Sequence, residues 1–487
     1  MQQNSPGGVF SALLNKRWGW PDRRAAGEKY AGGKGKEIMK ETQNFTQGNI
    51  MKSLVKFALP VLAALFLQTM YGAVDMLVVG QFASAADVSA VSTGSWLMQL
   101  ITSFVVGIAV GTTVLLGRKL GEGKPEEAGK IIGASITLFL IIGIAITVLM
   151  ELFAVPVARI MRTPEEAFDA TVSYVRICSA GSLFIVAYNL LGSIFRGIGD
   201  SRMPLITVAI ACVFNIAGDF LLVGVFGMAA AGAAVATVCA QALSVIISVF
   251  IIRKKKLPFA FAKKDIAFDR KRMGNVFRLG LPIAFQDLLV SVSFLAITAI
   301  VNSLGVIPSA GVGVAEKLCG FIMLVPSAFN QSMSAFVAQN IGAGKEQRAR
   351  KALFCGIGLS LLVGVAMAWF SFFHGDLLSG LFARDPAVVG ASAEYLKAYA
   401  IDCLLVSVMF CMIGYFNGCG KTMFVMAQGI IGAFGVRIPV SLLMSRMQPV
   451  SLFRVGLATP CSSVVQIALC VGYFVILNRK SVKIKET

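Results

Sequence analysis

The sequence predicts an all-α integral membrane protein: twelve transmembrane helices as two six-helix bundles, related by a parallel internal repeat with a pseudo-twofold axis along the membrane normal. Three observations predict it. Of the 487 residues, 56% are hydrophobic and 14% charged, where a soluble chain carries about 25% charged residues. Long charge-free runs alternate with short polar clusters, the pattern of membrane spans. Finally, four segments recur at a spacing of 221 or 222 residues.

Residues 1–50 are Gly-rich and charged, "AGGKGKEIMKETQNF" being typical, and are expected to form a disordered basic tail because they cannot bury a core. The first bundle, 51–252, holds spans over roughly 53–80, 88–117, 129–154, 168–197, 204–226 and 229–252. A basic linker, 253–276, joins it to the second bundle, 277–480. That bundle holds spans over roughly 277–302, 309–340, 351–374, 388–418, 422–445 and 451–478, before a short tail, 481–487. Each run exceeds the roughly 20 residues that cross a bilayer.

The net charge of +19 would suggest nucleic acid in a soluble domain. Here the Lys and Arg sit in short loops such as 117–130, 196–204, 253–272 and 342–351, while the loops near 81–87, 224–228 and 302–308 carry almost none. The positive-inside rule accounts for that distribution without a nucleic-acid partner. It places both termini in the cytoplasm of a multi-pass protein, in the inner or plasma membrane of a prokaryote. The expected partners are the lipid bilayer and a small organic solute, with the chain acting as a monomer.

The repeat is the most informative feature. "GEGKPEEAGK" (121–130) matches "GAGKEQRARK" (342–351), "YVRICSAG" (174–181) matches "YLKAYAID" (395–402), and "FRGIGDSR" (195–202) matches "FNGCGKTM" (416–423). Pro60 pairs with Pro282 between "FALPVLAAL" and "FRLGLPIAF". Six helices per copy leave both copies facing the same way, and two such bundles meeting at a cleft suit alternating access.

Several chemistries are excluded. Walker A requires G-x4-G-K-[ST], and counting back from Gly420 in "GCGKT" puts Tyr415 where the first glycine belongs. These glycine loops read as turns between helices, so no nucleotide drives the protein. The ten cysteines show no CxxC pair and His374 is the only histidine, leaving no catalytic triad or metal-ligand cluster. An enzyme is not expected.

The intramembrane carboxylates carry the chemistry, since ionisable groups in a span are costly and default to function. Asp75 interrupts "LQTMYGAVDMLVVG", and Asp219 stands in "FNIAGDF" with Asn215 four residues before it, on the same helix face. Asp287 and Asp402 are the secondary ion candidates in the second half. The repeat sets Ile297 opposite Asp75, Arg437 opposite Asn215 and Ser441 opposite Asp219. A structural carboxylate serving both bundles would appear twice, so the asymmetry favours an ion site confined to the first bundle. Protonation or ion binding there would shift which packing is favoured. The blander reading is an aspartate that caps or kinks its helix. Tyr71, Gln68, Tyr188, Phe214, Met323 and Phe329 are candidates for the substrate cleft, where aromatic faces suit flat cationic ligands.

On these segments the chain resembles the multidrug and toxic compound extrusion (MATE) family. The motifs are "FALPVLAALFLQTMYGAVDMLVVG", "GRKLGEGKPEEAGK", "RGIGDSRMP" and "FNIAGDFLLVGVFGMAAAGAAVATVCAQ", covering roughly residues 50–480 with the repeat. The resemblance implies antiport of organic cations and other amphipathic compounds against H⁺ or Na⁺, with no cofactor. It places the coupling ion on Asp75, Asn215, Asp219 and Thr237, with Asp75 and Asp219 as the ligands for any Na⁺. Members with a second-bundle cation site carry acids at positions aligned with Val290 and Val406, and Asp287 and Asp402 fall out of that register. The resemblance thus implies a secondary active antiporter working by alternating access. The alternative is a flippase of the related lipid-linked oligosaccharide exporters, for which an Arg-lined cleft would be expected.

Overall fold

The computed structural model describes residues 44–254, 261 and 265–486, with side chains through Arg479. Residues 1–43 of the disordered tail expected over 1–50, and the middle of the linker, lie outside them. Among the described residues there is no β-strand. Eleven helices are long and apolar enough to cross a membrane, and one bent pair completes twelve spans.

The first six are Ile50–Phe82, Ala85–Gly121, Pro125–Ile160, the pair Glu165–Ala180 and Ser182–Ile198, Arg202–Val225, and Ala229–Lys254. The second six are Arg270–Asn302, Val306–Gly342, Glu346–Phe373, Pro386–Gly418, Thr422–Arg446 and Leu452–Arg479. We number them spans 1 to 12. Local chemistry sets their starts. Asn49 caps span 1 by accepting the Lys52 amide at 3.1 Å, and Ser84 and Asp87 form a capping box on span 2. Spans 3 and 10 open on Pro125 and Pro386, where a missing N–H costs nothing.

Five details depart from the sequence expectation. Span 4 bends by 53° between its two helices, at Gly181, where a side chain would collide with Val238 of span 6. Span 8 is likewise interrupted at Met323. Span 7 starts at Arg270, inside the expected linker, because Asp269 caps it by accepting the Arg272 amide at 2.9 Å. The Arg272 amide and guanidinium hold the Asp269 carboxyl below the usual carboxylate range, and Arg272 Nη2 also reaches Glu127 Oε2 at 3.0 Å. At the far end, the helix of span 12 continues to Glu486.

The fifth departure is that residues 44–49, expected in the disordered tail, form an ordered strap on the second bundle. Phe45 is fully buried, with its ring 5.0 Å from that of Phe57 in span 1 and 5.1 Å from that of Phe336 in span 8. Arg348 donates to the carbonyls of Phe45, Gln47 and Gly48 at 2.7–2.8 Å. Lys345 and Asn340 donate to those of Thr46 and Phe45. One aromatic anchor and one arginine fork order a segment whose composition reads as disordered.

The two bundles meet in a seal at the end that bears both termini, and the seal obeys the repeat. Arg118 Nη2 donates to the Gly418 carbonyl at 3.3 Å, and Gln339 Nε2 donates to the Gly197 carbonyl at 3.0 Å. Both members of the first pair lie 221 residues from their counterparts in the second. Beside them, a Cβ on Gly121 would overlap the Gln339 carbonyl, and one on Gly342 would overlap that of Arg118. Only glycine permits that approach. The turns obey it as well: Gly199 and Gly420 take φ of +85° and +67°, left-handed positions that glycine occupies freely. The phosphate-loop lookalike is thus a helix C-cap.

Core packing crosses between the halves. Phe57, Ala58 and Val61 of span 1 pack with Met333, Phe336 and Phe416 of the second bundle. Met273, Val276 and Ala284 of span 7 pack with Ile108, Phe139 and Phe195 of the first.

Candidate functional site

Spans 1, 5 and 6 bring Asp75, Asn215, Asp219 and Thr237 together. Thr237 Oγ1 donates to Asp75 Oδ2 at 3.2 Å, and Asn215 Nδ2 lies 3.5 Å from Thr237 Oγ1 as a long donor. The Asp219 carboxyl lies against that of Asp75. Asp75 is 5% exposed, Asn215 1% and Asp219 0%. Asp219 is the last α-helical residue of its span before a π-helical turn, Phe220–Val225. Such turns insert a residue into the ladder and recur at functional sites.

The acceptor count is the site's chief chemical fact. Asp75 Oδ1, Asn215 Oδ1 and both Asp219 oxygens are buried without a hydrogen-bond donor among the described residues. Buried polar atoms are ordinarily paired. Four oxygens from two carboxyls and an amide suit a proton or a hard monovalent cation, which accepts oxygen ligands.

The second bundle is arranged otherwise. Asp402 is fully buried in span 10, flanked by Arg437 and Ser463. Arg437, 4% exposed, donates from Nη1 to Ser293 Oγ at 2.9 Å and stacks 4.4 Å over the Phe294 ring. Nearby, Thr298 Oγ1 donates to Glu316 Oε1 at 3.1 Å. Asp287 stands apart on span 7, and no side-chain hydrogen bond joins it to Asp402 among the described residues. Ile297 and Ser441, the counterparts of Asp75 and Asp219, are buried at 1% and 0% exposure.

Of the aromatic and polar cleft candidates, three line two neighbouring cavities formed mainly by the first bundle. Gln68 and Tyr188 border one of about 40 Å³, joined by a hydrogen bond from Gln68 Nε2 to Tyr188 Oη at 2.6 Å. Tyr71 and Tyr188 border a second, smaller one of about 10 Å³, together with Asn215 and Thr237. The two share Tyr188 and Val208, so these side chains stand between the wider cavity and the one beside Asn215 and Thr237. Phe214 lies on an exposed face of span 5, whereas Phe329 and Met323 pack into the cores of the second bundle. Sequence reasoning passed over Arg196, which lines the larger cavity, because it counted that arginine with the basic loop.

The MatE family profile matches this chain twice, over residues 60–221 and 282–443, once per bundle. Among similar sequences, the probable multidrug resistance protein YoeA of Bacillus subtilis is 26% identical over 446 residues, covering 90% of this chain and 96% of that protein. The probable multidrug resistance protein YpnP of the same organism is 28% identical, covering 82% and 90%. The fold also matches the outward-facing structure of a multidrug resistance MATE transporter of the MOP superfamily. Its TM-score is 0.84 at 19% identity, covering 92% of this chain and all of that one.

Proposed function

The chain belongs to the MatE family and is a multi-pass membrane transporter, and from that premise we propose that it is a secondary active antiporter. It exports amphipathic or cationic drug-like compounds in exchange for H⁺ or Na⁺. The observation that carries this reading is the single-copy cluster of Asp75, Asp219, Asn215 and Thr237, whose four donor-less buried oxygens need a proton or cation. The scaffold around it is duplicated, so the fold itself does not require the cluster. The names of similar proteins, multidrug resistance and multidrug export, support the substrate class.

Coupling follows from the site's position. Ion binding removes the cost of two adjacent carboxyls in a dry environment and thereby favours one packing of spans 1, 5 and 6 over another. The smaller cavity touches both Asn215 and Thr237, so repacking at the cluster reshapes the space open to a solute. With the termini on the basic, cytoplasmic side, the symmetric seal closes the cytoplasmic end.

Substrate-loaded proteoliposomes given a pH jump or, separately, a Na⁺ jump test antiport and identify the ion together. Efflux should follow one of the two gradients and vanish in Asp75→Asn. Retained gradient-driven efflux in that variant refutes the ion site.

A further inference from the structure

The larger first-bundle cavity holds a charge of the opposite sign. Arg196, in the last turn of the second span 4 helix, turns inward over Gly192, with Nη2 donating to Ser193 Oγ at 2.8 Å. No carboxylate pairs with it among the described residues, and no residue lining the cavity is acidic. A guanidinium carries five N–H donors, so most of its capacity is unspent. An arginine at a span end ordinarily snorkels to headgroups or water, which makes its inward pose informative.

A second donor stands beside it. Tyr188 Oη accepts from Gln68 Nε2, which leaves its own hydroxyl proton to donate into the cavity. The side-chain amide of Gln331, from the second bundle, also borders the space. Val61, Leu65, Phe195 and Val208 supply apolar wall.

We propose that this cavity binds the anionic group, a carboxylate or phosphate, of an amphipathic ligand, with Arg196 as its anchor and the Tyr188 hydroxyl as its second donor. The proposal rests on the reading of the first bundle as the substrate chamber and names its charge preference. Gln68 and Tyr188 mark one level of the bundle. From there Asp75 lies seven residues up span 1 and Arg196 eight residues down span 4, roughly 20 Å apart at 1.5 Å per residue. The anion and the coupling cation therefore sit well apart in the bundle and do not displace each other.

Binding is measured by fluorescence anisotropy on the full chain in phosphatidylcholine nanodiscs, using an amphipathic aryl-carboxylate fluorophore and its neutral methyl ester. The acid should bind at least about tenfold more tightly than the ester, as a charge-assisted contact gives. Arg196→Gln should erase that preference while leaving ester affinity unchanged, and Arg196→Lys should retain most of it. Tyr188→Phe, which keeps the ring, should reduce it about fivefold and serves if Arg196→Gln does not fold. Equal affinities in the parent protein, or a preference that survives Arg196→Gln, overturns the proposal. Exchanging part of the lipid for phosphatidylglycerol distinguishes the sources. Displacement of the acid identifies a headgroup as occupant, and undiminished binding identifies a free solute. A chain that shows the preference but transports on neither gradient keeps the anion site and loses the antiport reading.

Discussion

The two bundles share a scaffold and differ in their buried polar residues. Where the first bundle has Asn215, the second has Arg437, and where the first has Asp75 the second has Ile297. The consequence is a difference in charge balance. In the first bundle, two carboxyls face each other with donor-less oxygens and no cation nearby. In the second, Asp402 has Arg437 beside it, and that guanidinium is itself held by Ser293 and the Phe294 ring. Both Asp402 oxygens are nonetheless buried without a hydrogen-bond partner among the described residues, so the bundles differ in the fixed guanidinium near the carboxyl and not in its pairing. Duplication supplied the frame, and divergence at a few buried positions left the facing carboxyl pair in one bundle only.

That contrast can be broken by experiment. The largest effect is expected from paired substitutions: Asp219→Asn should reduce gradient-driven efflux to background, whereas Asp402→Asn should leave the ion dependence of the remaining transport unchanged. Equal loss of coupling in both would erase the distinction between the bundles. Next, Arg437→Asn imposes the first bundle's residue on the second and removes the Ser293 hydrogen bond and the Phe294 stack. It should lower unfolding stability by about 1–2 kcal/mol, and adding Asp402→Asn should restore the part that comes from the guanidinium's attraction for that carboxyl. Chemical denaturation checks the pair, and a fully additive double variant would deny the interaction.

A comparable effect tests what the bundles have in common. Gly121→Ala and Gly342→Ala each push a methyl into a facing carbonyl and should destabilise the sealed state by about 1–3 kcal/mol. Cysteine-labelling rates at the terminal end would report both. Because the seal is symmetric, the two should agree within about a factor of two to three. The smallest change is Thr237→Val, which removes one donor to Asp75. A loss of about 1 kcal/mol should shift the half-saturating proton or Na⁺ concentration roughly fivefold, read from transport titrations.

Much of the architecture was legible because its signals are long. Twelve apolar runs appear as spans displaced by only a few residues, and the 221-residue spacing reappears in the Arg118–Gly418 and Gln339–Gly197 hydrogen bonds. The meeting of Asp75 with Thr237 was implied by the family resemblance and not by the residues' own spacing. Three features were not. The π-helical turn after Asp219 and the 53° bend at Gly181 come from packing between spans, which periodicity within one span does not encode. Met323 and Phe329 were offered to the cleft but lie in cores, because membrane helices are apolar on lipid-facing and buried faces alike. Arg196 was hidden by the rule applied to its neighbours: basic residues at span ends usually belong to the loop.

The strap over residues 44–49 gives the machine a catch. It enters span 1 of one bundle while five side-chain hydrogen bonds and the Phe45 ring fix it to the other. Spreading the bundles at that end must either carry the strap along or draw Phe45 out and hand its carbonyls to water. The stroke that opens this end therefore starts against a latched resistance which the opposite stroke never meets, and the two halves of the cycle need not run at the same speed.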